Sequence, residues 1–336
     1  MKLSNETLLE YVVVIPAYNE EARIESSLRA LKRATDAAPH KLIQVLIALN
    51  GCSDDTKGMI HRSNKKLQLP ITIIECKQGY LNAMNTLFDH VRRNYPHASM
   101  LKTDADSLIC KDAISILLDQ MARAPELVIV GGHPLPILDT PTSPKDVVRN
   151  VKARMLALRS LYPLSQVSRH DVRAYHSICH KDPQDDIGAA EERLKTFFHG
   201  RLWCARTVSH IANIDERVLG DDVYLTVWVY KTYGPNTIRV RYDANTMYHP
   251  YSSLQRHWKV YKRIHEDRQR VMNLGAYRTL QQLQQVTLDW KYILSCVPVG
   301  DAALFGIYWL ITRFENISFG MVGYRESFWQ YQEKEA

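Results

Sequence analysis

Apolar and polar positions alternate along the first 135 residues in blocks of strand and helix length. Tyr11-Val-Val-Val-Ile15 is a continuous apolar run that Pro16 stops, as a buried strand requires. Asn19 is then placed to cap a helix whose first turn carries Glu20 and Glu21, the charges a helix N-terminus favours. Ile24, Leu28 and Leu31 follow at helical spacing. Leu42 to Leu49 reads as a second buried strand closed by Asn50-Gly51. Ile71 to Ile74 reads as a third, with a turn at Gly79 and a helical stripe of Leu81, Met84, Leu87, Phe88 and Val91 behind it. A fourth strand, Ala98 to Leu101, leads into Asp104, and Leu127 to Val130 makes a fifth before Gly131-Gly132. Strands separated by single helices imply a parallel sheet with right-handed crossovers. Such sheets bind ligands beyond the carboxyl ends of their strands. Pro16, Asn50, Lys77 and Asp104 all fall at those ends.

Residues 136–198 break this pattern. Pro134, Pro136, Pro141 and Pro144 mark a loop, 147–161 reads as a basic helix, and 169–186 is polar without a period. The stretch reads as an insertion over the site, of the kind that sets substrate choice. Regular structure resumes at Phe197. Asp221-Asp222 then precede a helical pattern of Val223, Val227 and Tyr230, which Gly234-Pro235 ends. Leu254, Trp258, Tyr261 and Ile264 form a stripe on a helix with six Arg or Lys between Arg256 and Arg270. A membrane-surface helix, a diphosphate-binding element and an ordinary solvated helix all fit that description. Residues 292–312 are largely apolar, but Pro298, Gly300, Asp301 and Gly306 interrupt them. A buried or membrane-lying hairpin fits better than a transmembrane span.

Composition narrows the class only modestly. The 336 residues are 46% hydrophobic and 24% charged, ordinary for a globular chain with ample core. A net charge of +7 favours anionic partners, and no nucleic-acid-binding motif accompanies it. Six scattered cysteines without C-x-x-C spacing suit reduced thiols, and Met1 to Glu6 lacks the features of a signal peptide. The expectation is a cytoplasmic protein working at the cytosolic side.

The chemistry concentrates at Asp104-Ala-Asp106. Two carboxylates one residue apart at a strand end make a compact oxygen-ligand site for a divalent cation that can carry a diphosphate. With it, in order, stand Val14-Ile-Pro-Ala-Tyr-Asn-Glu-Glu21, Asn50-Gly-Cys-Ser-Asp-Asp-Thr56, Lys77-Gln-Gly-Tyr-Leu-Asn-Ala-Met-Asn85, Gly220-Asp-Asp-Val-Tyr-Leu-Thr226 and Gln255-Arg-His-Trp258. This series resembles family 2 glycosyltransferases of the GT-A fold over roughly residues 11–260. The resemblance implies a Rossmann-like, mostly parallel α/β sheet flanked by helices, with a helical C-terminal extension. It divides the chain into a catalytic domain at 1–250, with a nucleotide-sugar half at 1–135 and an acceptor half at 136–250, and a C-terminal region at 251–336.

Carried over position by position, the resemblance puts Pro16, Tyr18 and Glu20 in the nucleotide pocket, and Asn50 and Asp54 on base and ribose. Lys77 and Gly79 lie near the nucleotide, and Asp104 by the ribose or metal. Asp106, Asp104 and a late histidine, His249, would ligate Mg²⁺ or Mn²⁺. Asp222 falls at the general base. Gly200, Arg201, Asp221, Gln255, Arg256 and Trp258 fall near the acceptor and diphosphate. Three departures stand out. The second strand ends in Asn50 where the family commonly has aspartate, which leaves the base open between UDP- and GDP-sugars. The acidic pair is Asp221-Asp222 rather than Glu-Asp, and the Gln-Arg-Trp element is one residue short.

The implied reaction is inverting transfer of a sugar from a nucleotide-sugar donor to a hydroxyl acceptor, lipid-linked, polysaccharide or small. Two other classes compete. A sugar nucleotidyltransferase would need a Gly-rich, Arg-containing loop where Pro16-Ala-Tyr-Asn-Glu-Glu stands, and a non-catalytic protein retaining the fold would have no use for Asp104, Asp106 and Asp222. His176 and His180 have zinc-pair spacing, but a surface loop is the better reading there.

Overall fold

The computed structural model describes residues 8–137, 198–249 and 254–276, with single positions at 151, 300, 303, 304, 306, 307 and 310. Among these, eight strands form one sheet. They are β1 (Glu10–Ala17), β2 (Lys41–Asn50), β3 (Ile71–Cys76), β4 (Ser99–Thr103), β5 (Leu108–Ile109), β6 (Ile129–Pro136), β7 (Leu202–Ala205) and β8 (Ile238–Tyr248). The order across the sheet is β3-β2-β1-β4-β7-β6-β8-β5. Helices α1 (Ile24–Ala37), α2 (Thr56–Leu67), α3 (Tyr80–Asn94), α4 (Ala113–Arg123), α5 (Asp222–Tyr233) and α6 (Leu254–Val271) flank it.

The expected parallel half is present. β3, β2, β1 and β4 pair in parallel, in register from Val13 through Val45 to Ile71 and from Val13 to Leu101. Residues 11–17 of β1 are all buried, as a strand covered on both faces must be. Alternation sends Val12 and Val14 into a core with Leu87, Phe88 and Trp203, and Tyr11, Val13 and Ile15 into a second core with Leu28, Leu31 and Leu117. The second half is mixed. β7 runs antiparallel between β4 and β6, pairing Lys102 with Trp203 and Val130 with Cys204. β6 and β8 are parallel, and β5 closes the edge antiparallel to β8.

Three sequence expectations are corrected. Asn19 does not cap a helix. Its φ is 52°, in the left-handed region, and its carboxamide oxygen accepts the Ser53 N–H at 2.8 Å. The 19–21 loop is stitched to the loop after β2, with Glu20 N–H donating to Thr56 Oγ1 and Glu21 N–H to Asp54, so α1 begins only at Ile24. The fifth strand of the sequence reading is shifted: β6 starts at Ile129 and continues through both glycines. Pro134 and Pro136 accordingly lie in β6, opposite Thr246 and Tyr248, and not in a loop. Pro141, Pro144, the 147–161 helix apart from Val151, the 169–186 stretch with His176 and His180, and most of 292–312 lie outside the described residues. The helix expected after Leu254 is α6.

The β6 glycines are there for close approach. A Cβ at Gly132 would lie 2.6 Å from the Ala244 carbonyl oxygen and 2.7 Å from Leu202 Cδ2, so the β8 backbone and a β7 side chain leave no room for one. Gly132→Ala is therefore expected to destabilise the fold by about 1–3 kcal/mol, as overpacked cores do. Urea unfolding would show it as a lower midpoint at unchanged slope.

Candidate active site

β4 delivers Asp104 just past its carboxyl end. The following turn is closed by Ser107 N–H donating to the Asp104 carbonyl at 3.2 Å, while Asp104 N–H donates to the Arg201 carbonyl. The turn holds Asp104 and Asp106 side by side. Each of their four carboxylate oxygens faces a cation of the chain itself. Lys102 Nζ donates to Asp104 Oδ1, and Arg201 Nη1 lies 3.6 Å from Asp104 Oδ2 and 2.8 Å from Asp106 Oδ1. Arg23 Nη1 lies 3.8 Å from Asp106 Oδ2. The Arg201 guanidinium also stacks 4.5 Å over the Tyr248 ring. Burial pushes the Asp104 carboxyl up, yet Lys102 and Arg201 outweigh it and hold the group below the usual carboxylate range. Glu20, half-buried next to the pair, is raised to about 7 by burial and by the Asp106 charge.

The second acidic group stands at the start of α5. Asp221 is 4% exposed and accepts from Trp203 Nε1 at 3.3 Å, with Lys102 Nζ 3.9 Å away. The Tyr80 hydroxyl, whose pKa burial and Asp221 raise, is its further partner. Asp222 is half-buried and accepts the Gly200 N–H at 3.2 Å and the Val223 N–H at 2.8 Å. Burial, then Asp221 and Asp267, raise its carboxyl to about 7 against the two N–H groups that lower it. Asp267, from α6, accepts the Leu219 and Gly220 N–H groups at 2.6 and 3.0 Å and so pins the turn that leads into the acidic pair. Its own carboxyl is raised to about 6, chiefly by burial.

The donor-side expectations gather at the same sheet edge. Asn50 is buried and its carboxamide oxygen accepts the Gly79 N–H. Gly79 has φ 130°, which fixes glycine there. Tyr18 accepts from Gln78 Nε2 at 3.3 Å, Pro16 lies within β1, and Lys77 is exposed just past β3. The Asp54 carboxylate is engaged by Glu21 N–H, Thr56 N–H and the Thr56 hydroxyl, tying two loops together. Gln255, Arg256 and Trp258 are exposed in the first turns of α6, and His249 is exposed just past β8. Sequence reasoning missed Lys102, Asp267, Arg23, Tyr80 and Trp203. Lys102 did leave a signal, as the one charge between the apolar run 98–101 and Asp104.

The acidic turn suits a divalent ion in kind. Two carboxylates offer the hard oxygen donors that Mg²⁺ and Mn²⁺ take, and the gap between them already holds a cation, the Arg201 guanidinium. The donor set fits such an ion on condition that Arg201 gives way. Among the described residues, no group of three His, Cys, Asp or Glu converges as a ligand set, so His249 is not brought to the pair.

Comparison with known proteins places this geometry. Residues 12–176 match the sequence model of glycosyl transferase family 2. That stretch is a glycosyltransferase family 2 domain. No curated protein matches it by sequence. Among solved structures, this glycosyltransferase is similar to a mannosyltransferase from Pyrobaculum calidifontis in complex with GDP-Man and Mn²⁺. The TM-score is 0.52 at 15% identity, over 93% of this chain and 83% of the other. It also matches glucosyl-3-phosphoglycerate synthase from Mycobacterium tuberculosis, in complex with Mn²⁺, UDP and glucosyl-3-phosphoglycerate. That match has a TM-score of 0.44 at 15% identity, over 83% and 81% of the two chains. The first likeness establishes the GT-A fold for this chain.

The raised carboxyl of Asp222 has a consequence for stability. Its folded value of about 7 exceeds its ordinary 3.8, so between these the folded chain binds more protons than the unfolded one. The contribution is full below the ordinary value and is lost as pH rises through about 7. Asp222→Asn removes that loss. The variant is expected to be more stable than wild type at pH 8 by roughly 1–2 kcal/mol, with the gain vanishing near pH 4. Thermal unfolding of both proteins across that range measures it.

Proposed function

We propose that this glycosyltransferase moves a sugar from a UDP- or GDP-sugar to a hydroxyl acceptor by single displacement with inversion, with Asp222 as the base. The observation that carries the reading is a half-buried carboxyl raised to about 7, held by two backbone N–H groups beside the Asp104–Asp106 turn. A base poised near neutrality is suited to accept a hydroxyl proton. The acceptor oxygen forms its bond to the anomeric carbon as its proton passes to Asp222. The bond from that carbon to the diphosphate breaks, and its electron pair leaves with the diphosphate. One base on the far face of the sugar gives inversion.

Pro16, Tyr18, Asn50, Asp54, Lys77 and Gly79 are assigned to the nucleotide, and Glu20 to the neighbourhood of the diphosphate. Arg23 and Arg201, already facing the acidic turn, supply positive charge for that group. A Mg²⁺ or Mn²⁺ ion held by Asp106 and Asp104 would neutralise charge developing on the leaving diphosphate. Gln255, Arg256 and Trp258 are assigned to the acceptor side. Trp258 is 39% exposed on a helix rich in Arg and Lys, which favours an anionic or lipid-linked acceptor met at a membrane surface from the cytosolic side. No described helix is long and apolar enough to cross a membrane.

Asp222→Asn should lower transfer at least about a thousandfold while nucleotide affinity stays within a few-fold of wild type. Near-normal transfer by this variant would remove Asp222 from its role. With the base at about 7, the wild-type rate should rise about tenfold per pH unit below that value and level off above it. A rate flat between pH 5 and 8 would contradict the assignment. Asp106→Ala should abolish the part of nucleotide affinity that depends on Mn²⁺, which calorimetry with and without the ion measures directly.

A further inference from the structure

Lys102 is the most thoroughly buried charge beneath the site, and the reaction outlined above gives it no task. It lies mid-strand in β4, between Val14 of β1 and Trp203 of β7, with a side chain 1% exposed. A lysine there is costly to desolvate, and a central strand needing only to fill space would carry an apolar residue. Its ammonium has three N–H donors and three acceptors around it. One donor goes to Asp104 Oδ1 and one to the Gly200 carbonyl, while Asp221 Oδ2 lies 3.9 Å off. The Tyr80 ring covers it at 5.6 Å. The other side of Gly200 completes the path, because its N–H donates to Asp222 Oδ2 at 3.2 Å. One ammonium and one glycine thus connect the carboxylate at the donor turn to the carboxylate read as the base.

We propose that Lys102 is a positioning residue that fixes the separation between Asp104 and Asp222, acting through Gly200 and Asp221 without touching substrate. The inference rests on the reading of Asp222 as base. Charge neutralisation alone would leave the ammonium free to serve either carboxylate from any angle. A positional role requires the three contacts to hold together, and a shift of about 1 Å in such a constellation can cost about a hundredfold in rate.

Lys102→Met strands the buried Asp221 carboxylate and risks unfolding, so the informative variant is Lys102→Met with Asp221→Asn, which removes both charges of that pair. Lys102→Arg is the companion: it keeps the charge and loses the three-way geometry. Turnover is read as nucleoside diphosphate released from a panel of UDP- and GDP-sugars, and affinity by calorimetry with UDP and GDP. The double variant should lose about a hundredfold in kcat, with donor KM and nucleotide affinity within about threefold of wild type. Lys102→Arg should show the same split with a smaller loss, and Asp221→Asn alone should lose less than the double variant. If the double variant does not fold, Lys102→Arg decides. A folded double or Arg variant with kcat within threefold of wild type would overturn the positional role. So would a fall in nucleotide affinity that matches the fall in kcat, because Lys102 would then only bind donor. Absence of turnover in the wild type, by contrast, would overturn the functional reading beneath it.

Discussion

Carboxylates crowd the carboxyl edge of this sheet, and their mutual repulsion is the constraint the local structure answers. Asp104, Asp106, Asp221 and Asp222 stand there, with Glu20 and Asp267 near. Two like charges about 5 Å apart repel by about 3 kcal/mol under protein-like screening. The chain answers in two ways. Lys102, Arg201 and Arg23 neutralise the Asp104–Asp106 turn, and Asp104 is held ionised as a result. Among the described residues, no cation forms an ion pair with Asp222. Burial and its acidic neighbours raise it instead, against two N–H groups that lower it. One end of the cluster is thus kept charged and the other kept near its titration point.

That division suits the two tasks proposed for these carboxylates. A diphosphate anchor must stay charged at any working pH, whereas a proton acceptor works best when its pKa lies near that pH. Two groups of carboxyls with the same intrinsic chemistry are driven apart by surroundings alone. The elements responsible come from far apart in the chain: β4 for Lys102, β7 and the residues before it for Gly200 and Arg201, α5 for the acidic pair, and α6 for Asp267.

Sequence reading recovers what depends on local pattern. The buried run of β1, the parallel pairing of β1 to β4, the stripe of α3 and the placing of Asn50, Lys77 and Asp104 at one edge all follow from periodicity and turn residues. The start of α1 was misplaced because Asn19, a good helix cap by type, finds a tertiary partner in Ser53 and takes a left-handed conformation to reach it. β6 was misplaced because glycine and proline signal turns locally, while here Gly132 answers the close approach of Ala244 and Leu202. Asp267 was invisible for a different reason. Its partners are backbone N–H groups 47 and 48 residues away, and backbone leaves no trace in side-chain pattern.

Backbone also explains why two glycines flank this cluster. A Cβ on Gly200 would come within 3.1 Å of Asp221 Oδ1 and 3.5 Å of Asp222 Oδ2, and one on Gly220 within 3.2 Å of Asp267 Oδ2. At both positions the space a side chain would take lies against a carboxylate, and both glycines give their N–H to one. A side chain there would have to push the carboxylate off the N–H that holds it. The geometry of Asp222 thus depends on residues that carry no side chain. Gly200 passes the position of Lys102 to Asp222 through a single residue, by its carbonyl on one side and its N–H on the other, and Gly220 passes that of α6 into the turn before Asp221. The acidic pair is held between the central sheet on one side and a helix more than thirty residues later on the other, so the placing of Asp222 depends on both.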